Sequence, residues 1–168
     1  DLVALMSDPH VLRYWDAPAW TDPERAGLFL ATCRRMAEEG TGVRPAVVRR
    51  SDGRFLGWCT LNSWNRGNRT AELGYCYLRS AWGQGYATEA ARALLRWGFD
   101  ALDLHRVQAE TDTRNAESGR VLTKLGFSHE GTLREDVVVD GVVSSSHVYG
   151  LLHGELAPDG PVRGPSLS

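Results

Sequence analysis

Apolar positions repeat with a period near 3.6 in some stretches of the chain and near 2 in others, and the switches between the two lay out its elements. Leu2, Leu5 and Met6 suit the end of a short helix that stops near Pro9. Over 21–40, Ala26, Phe29, Leu30, Cys33, Met36 and Ala37 recur at helical spacing and predict one buried stripe. Asp22 or Thr21 can cap that helix, Pro23 suits its first position, and Gly40 follows its last turn. Strands follow at 44–50 (RPAVVRR) and 54–64 (RFLGWCTLNSW), on either side of the hairpin signal Ser51-Asp52-Gly53. A polar turn at 65–69 leads into a third strand, TAELGYCYL, at 70–78.

The second half of the chain alternates. A helix is predicted from about Tyr86 to Leu102, with Ala91, Leu94, Leu95, Gly98 and Leu102 along one side, and a strand at 106–111. The next helix, about Asn115 to Leu125, has Asn115 as N-cap and Gly126 as its left-handed stop. Residues 134–152 read as two strands around Asp140-Gly141. The order predicts an α+β fold, a mixed and mostly antiparallel sheet flanked by helices, with one strand–helix–strand crossover near 70–111. No internal repeat or linker divides the chain, so residues 1–157 read as one domain and the Pro/Gly/Ser-rich 158–168 as a tail.

Composition narrows the function classes. A chain of 168 residues with 42% hydrophobic and 24% charged residues is an ordinary globular protein. Its net charge of −2 and lack of a basic run give no reason to expect nucleic acid. No apolar run approaches a membrane span, and DLVALMSDPH lacks the features of a signal peptide, so neither membrane nor export is expected and the cytoplasm is the default. Cys33, Cys59 and Cys76 form no CxxC pair, and the five histidines show no HExxH or HxxxH spacing, so no metal is predicted.

The chemistry concentrates at 82–89, WGQGYATE. Two glycines strip side chains from a strand-to-helix turn, where backbone amides converge and the helix dipole adds partial positive charge. Neither common nucleotide motif fits: a dinucleotide fingerprint would need Gly or Ala at 88, where Thr88 stands, and the chain has no Gly-Lys pair for a P-loop. An anion is still favoured, with Thr88 as a further donor, beside the plainer reading of a glycine turn. The loop fits the pattern Arg/Gln-x-x-Gly-x-Gly/Ala as Trp82-Gly83-Gln84-Gly85-Tyr86-Ala87. With that loop and HRVQAETDTRNAESGRVLTKLGF at 105–127, the chain resembles the GNAT N-acetyltransferase family. The nearest branch is the RimJ/RimL-like, ribosomal-protein-alanine N-acetyltransferases, which share Trp at the loop's first position. The C-terminal EGTLRED…VYGLL extends the likeness to about residue 152.

That resemblance implies a GNAT fold with a splayed strand pair. It also implies an enzyme that moves an acetyl group from acetyl-coenzyme A directly to a primary amine, without a metal. The acceptor would be a protein N-terminal α-amine or a small-molecule amine, and relatives often pair as homodimers. A coenzyme-binding module without turnover, or a plain nucleotide-phosphate binder, stands as the rival. The family's first strand is expected before the first helix and is missing here. The implied cofactor contacts are the backbone of Cys76, Tyr77 and Leu78 for the pantetheine arm, residues Gly83, Gln84, Gly85, Tyr86, Ala87 and Thr88 for the diphosphate, and Asn115 and Ser118. An amide near Cys76 or Tyr77 would polarise the thioester carbonyl.

An amine must lose a proton to attack a thioester, and the departing thiolate gains from receiving one. Glu72 interrupts an apolar strand and is the candidate base or ammonium anchor, unless it is salt-bridged to Arg69 or Arg79. Ser118 is the candidate acid, beside a local role in satisfying the helix N-terminus. His147 shares a strand face with Tyr149 and is a weaker base candidate. Cys76 reads as a small buried thiol rather than an acyl carrier. Of Trp15, Trp20, Trp58 and Trp64, one or two are expected to wall the acceptor site.

Overall fold

The computed structural model describes residues 1–158, so all of the tail expected at 158–168 except Pro158 lies outside the described residues. The elements run α1 (Leu2–Met6), α2 (Arg25–Glu38), β1 (Ala46–Val48), β2 (Phe55–Asn65), β3 (Thr70–Tyr77), α3 (Tyr86–Ala101), β4 (Arg106–Asp112), α4 (Ala116–Leu125), β5 (Ser128–Val139) and β6 (Val142–Leu152). The six strands make one sheet in the order β1-β2-β3-β4-β6-β5. Every neighbouring pair is antiparallel except β3 and β4, which run parallel because α3 carries the chain across between them.

Side-chain alternation on β3 separates the layers. Ala71, Leu73 and Tyr77 pack with Leu61, Val107 and Ala109 against Ala91, Leu95 and Phe99 of α3 and Leu122 and Leu125 of α4. On the opposite face Cys76 and Trp58 join Leu5, Met6, Leu12 and Trp20 from the N-terminal segment in a second core. The sheet is thus covered on both sides, and the two covers meet at its middle strands.

Four expectations need correction. The α2 stripe is only half sunk: Ala26, Phe29, Cys33 and Met36 are half-buried, whereas Leu30 and Ala37 are exposed and no residue of the helix is fully buried. The helix rests on one edge of the second core, so the residues flanking that line of contact face water. Its start falls at Arg25 rather than Pro23, with Asp22 Oδ1 accepting from the Glu24 amide at 2.8 Å. The strand expected at 44–50 shrinks to Ala46–Val48, where a bulge interrupts its pairing with β2. Strand β5 begins at Ser128, not Arg134, because 128–133 pair along β6 as an outer strand exposed on both faces and so carry no apolar alternation.

Other signals translate directly. Gly53 (φ +69) closes the first hairpin, Asp140 and Gly141 (φ +49 and +79) the last, and Gly126 (φ +100) ends α4. Arg49 and Asp52 pair within the first turn, where the guanidinium holds the Asp52 carboxyl at about 2.

Candidate active site

Strand β3 is treated differently along its two edges. Toward β2 it pairs from Tyr77 opposite Gly57 down to Thr70 opposite Asn65. Toward β4 it pairs only through Thr70, Ala71 and Glu72, and beyond them β4 continues with β6 alone. The Leu78 amide donates to the Leu56 carbonyl at 2.9 Å. Alternation along an antiparallel ladder then turns the amides of Cys76 and Gly74 toward β2 and those of Tyr77 and Tyr75 into the opening, while the Leu73 amide is taken up by β4 where Glu72 pairs with Gln108. The fork leaves unpaired backbone groups of β3 facing the gap.

A cleft of about 630 Å³ passes through this fork. Its lining includes Glu72, Gly74, Tyr75, Cys76 and Tyr77 of β3, Trp82, Gly83, Gly85, Ala87 and Thr88 of the glycine turn, and Asn115 and Ser118 at the start of α4. The N-termini of α3 and α4 therefore both open onto it, each with amides that have no partner in their own helix. Gly83 and Gly85 adopt φ of +71 and +86, and a Cβ at either would touch nothing within 4 Å. Backbone conformation, not crowding, demands glycine there, and the surface left is bare peptide. The indole N–H of Trp82 donates to the Tyr77 carbonyl at 2.9 Å, which ties the turn to the open edge of β3. This bond gives a physical reason for Trp at the first position of the loop pattern.

Three expected residues stand apart from the cleft wall. Gln84 is exposed and its Nε2 donates back to the Ser80 carbonyl at 2.6 Å. Tyr86 packs against the first core and Leu78 against the second. Any role of theirs toward a ligand runs through backbone atoms.

At the start of α4, Asn115 Oδ1 accepts from the Ser118 amide at 3.2 Å, which caps the helix. The Ser118 hydroxyl stands 2.8 Å from the Tyr75 hydroxyl, a partner that the sequence did not suggest. Burial raises the Tyr75 phenol above the ordinary tyrosine range, with the Ser118 bond opposing, so the pair remains protonated at neutral pH. Burial likewise pushes the Cys76 thiol up to about 12, against the opposing contact of the Tyr77 backbone. Almost none of it is thiolate near pH 7, which argues against a cysteine nucleophile.

Glu72 is half-buried on the face opposite Tyr75 and sits across from Asn62. Its carboxyl is raised above its ordinary value first by burial, then by the Glu110 and Asp16 carboxylates, while a hydrogen bond from Ser63 pulls the other way. Arg69, offered above as an ion-pair partner, pairs instead with Asp103 at 2.6 Å. Glu72, Glu110 and Asp16 all line the cleft, so one end of it is acidic. The cations Arg13, Arg120 and Lys124 line it as well.

Of the four tryptophans named from sequence, Trp15 and Trp58 line the cleft, and their rings meet edge-on at 5.4 Å. His147 and Tyr149 do not. They border a separate hollow of about 460 Å³ beside α4, where His147 Nδ1 lies 2.9 Å from Thr132 Oγ1 and 3.2 Å from His129 Nε2. The residues missed from sequence are Tyr75, Arg13, Arg44, Asn62, Glu110, Arg120 and Lys124. Arg120 and Lys124 are four apart on a helix whose first turn was already implicated, a usable signal. The others come from segments distant in sequence. Among the described residues no three His, Cys, Asp or Glu side chains gather as a metal site, and no helix is long and apolar enough to cross a membrane.

Comparison with known proteins gives this geometry its context. Residues 1–128 match the family described as "Acetyltransferase (GNAT) domain". An uncharacterized N-acetyltransferase, p20 of Bacillus licheniformis, is 31% identical over 151 residues, covering 90% of this chain and 85% of its own. Among solved structures, Mycobacterium smegmatis RimJ in complex with CoA-disulfide is 30% identical with a TM-score of 0.74, over 80% of this chain and 64% of that one. Vibrio cholerae spermidine N-acetyltransferase in complex with CoA and spermine shares the fold at TM-score 0.81 and 18% identity, over 92% of this chain and 89% of that one. The forked strand pair and the bare glycine turn are thus parts of a known architecture: the chain belongs to the GNAT acetyltransferase family and is an acyl-coenzyme A-dependent acetyltransferase acting on an amine.

Proposed function

We propose that this protein transfers an acetyl group from acetyl-coenzyme A directly to a primary amine within the β3–β4 fork. The single observation that carries the reading is the parting of β3 from β4 after Glu72, beside two helix N-termini. Peptide amides at 83–88 hold the diphosphate, with Thr88 adding a hydroxyl and Arg13, Arg120 and Lys124 adding charge. The open edge of β3 holds the pantetheine arm as a further strand would, and Asn115 hydrogen-bonds it. The Tyr77 amide, turned away from β2, polarises the thioester carbonyl.

The remaining steps are proton movements. Glu72 takes a proton from the incoming ammonium, directly or through water, and its raised pKa brings it nearer to working pH as a base. The amine nitrogen forms a bond to the carbonyl carbon, and the carbon–sulfur bond breaks. Ser118, hydrogen-bonded to Tyr75, gives a proton to the departing sulfur and is reprotonated through that phenol by the second proton the nitrogen sheds as the amide forms, so both hydroxyls end protonated. The spermine-bound neighbour supports an amine as acceptor, and both a peptide α-amine and a small-molecule amine fit an open cleft.

The test is release of free coenzyme thiol against a panel of amines and short peptides, with coenzyme binding measured separately by calorimetry. Turnover is expected with at least one amine. Ser118→Ala is expected to lower kcat by about 10²-fold or more with coenzyme affinity within about threefold, and Tyr75→Phe by less. Tight coenzyme binding with no turnover of any amine would replace this reading by a binding module.

A further inference from the structure

The wall of the cleft on β2 carries donors and acceptors that find no partner in the protein. Trp58 is only 4% exposed, yet its indole Nε1 is buried and makes no hydrogen bond to any described residue. Arg44, next to it, holds its guanidinium 4.9 Å above the Trp58 ring and 4.8 Å above the Phe29 ring. Its Nε is also buried without a partner, and the guanidinium's polar contact within the chain is a weak one to Cys33 Sγ at 4.0 Å. No carboxylate pairs with Arg44 among the described residues. Both side chains line the cleft. A cation wedged between aromatic rings has its position fixed and its hydration reduced, and a buried indole N–H left without an acceptor is destabilising. Two such donors side by side call for an anionic acceptor.

Further along the same face the polarity reverses. Asn62 Oδ1 is buried without a donor, and Asn62 lies opposite Glu72 on β3. With Glu110 and Asp16 this end offers oxygen acceptors to an ammonium. The Trp58 end is level with the proposed reaction centre, since Trp58 pairs with Cys76 and Gly57 with Tyr77. An acceptor amine poised there has carboxylates on one side and the Arg44–Trp58 donors on the other.

The geometry points to an acceptor that carries a carboxylate as well as its amine, with the carboxylate taken by the Arg44 guanidinium and the Trp58 indole N–H. This rests on the reading of the cleft as the acetyl-transfer site and assigns its substrate class. The ligand is an amino acid or the α-amine and terminal carboxylate of a very short peptide, rather than a polyamine. A polyamine would satisfy Glu72, Glu110 and Asp16 but would bring positive charge toward Arg44 and leave both donors unmatched. The aromatic walls, Trp15 and Trp58, suit an apolar body on the same molecule.

Matched pairs test this: tryptophan against tryptamine and phenylalanine against phenethylamine, with the corresponding α-amides, an alanine-led dipeptide and spermidine. The expected result is a kcat/KM at least about tenfold higher for the carboxylate-bearing member of each pair, as for a charge-assisted bidentate contact. Arg44→Gln should bring that ratio close to one. Trp58→Phe, which keeps a six-membered aromatic face but removes the pyrrole half of the indole with its N–H donor, should lower it by about threefold to fivefold. Coenzyme affinity is measured on each variant to confirm that it is folded. The dipeptide arm tells a free amino acid from a peptide terminus.

Preference for spermidine or for the decarboxylated amines overturns the assignment, as does an Arg44→Gln ratio equal to that of the wild type. If no amine turns over, calorimetric binding of the same pairs to the coenzyme-loaded wild type decides the matter. Tighter binding of the carboxylate member upholds the site while the transfer reading fails, and equal binding removes the site.

Discussion

The two edges of β3 belong to one backbone and behave in opposite ways. Toward β2 its hydrogen-bonding groups are matched along the strand, and the residues behind that seam belong to the first core, with Leu61 fully buried. Toward β4 the match ends after Glu72, and what the strand presents instead is free amides, a phenol paired to a serine, and a carboxylate raised by its surroundings. On the proposed reading, the closed edge holds the fold and the open edge holds the chemistry. A change on one should show in stability and a change on the other in activity.

Leu61→Ala is the sharpest challenge to that division. It empties space against α3 at Gly98 and should lower unfolding free energy by about 2–5 kcal/mol, read as a shift in the urea midpoint. Coenzyme affinity of the folded fraction should move less than about twofold, and a large loss would show that the two edges are coupled.

On the open edge, Glu72→Gln should lower kcat/KM at neutral pH by about 10²-fold and abolish its acid limb. The sign follows from the upward shift. In the wild type the base becomes competent as pH rises through a value above the ordinary 4.5, so the activity limb lies above that pH. The same shift costs stability, because between the ordinary and the raised value the folded state holds a proton that the unfolded chain has released, and stability falls as pH rises through that window. Glu72→Gln should therefore be slightly more stable than wild type at neutral pH, by about 1–2 °C in Tm. A less stable and equally active variant would make Glu72 a structural residue.

Gly85→Ala tests the glycine turn with the smallest expected effect. At φ +86 a Cβ adds about 1–2 kcal/mol of local strain although nothing crowds it. Coenzyme affinity should weaken about tenfold, with kcat at saturating coenzyme changed far less. An unaltered affinity would mean that the diphosphate does not rest on this turn.

Much of this was legible in the chain. Asn115 and Gly126 mark the ends of α4 because capping and left-handed geometry are local, and Asp140-Gly141 marks its hairpin for the same reason. Glu72 stood out because a carboxylate within an apolar strand contradicts its pattern. The α2 stripe misled, because helical spacing states which residues share a side but not how deep that side sinks. The partnership of Tyr75 with Ser118 was out of reach, since it joins two positions 43 residues apart through the packing of α4 on the sheet. Arg44 gave no signal either, being one arginine among many until Phe29 and Trp58 closed on it.

Most of the elements, the glycine turn, the two motifs and the family can be read from the chain alone, because each is written in neighbouring residues or in a period the backbone imposes. Where β3 leaves β4, which amides that exposes, and which charges face one another across the cleft emerge only once the chain is packed. Those depend on distances between segments far apart along the chain, fixed when the two cores close on opposite faces of a single sheet.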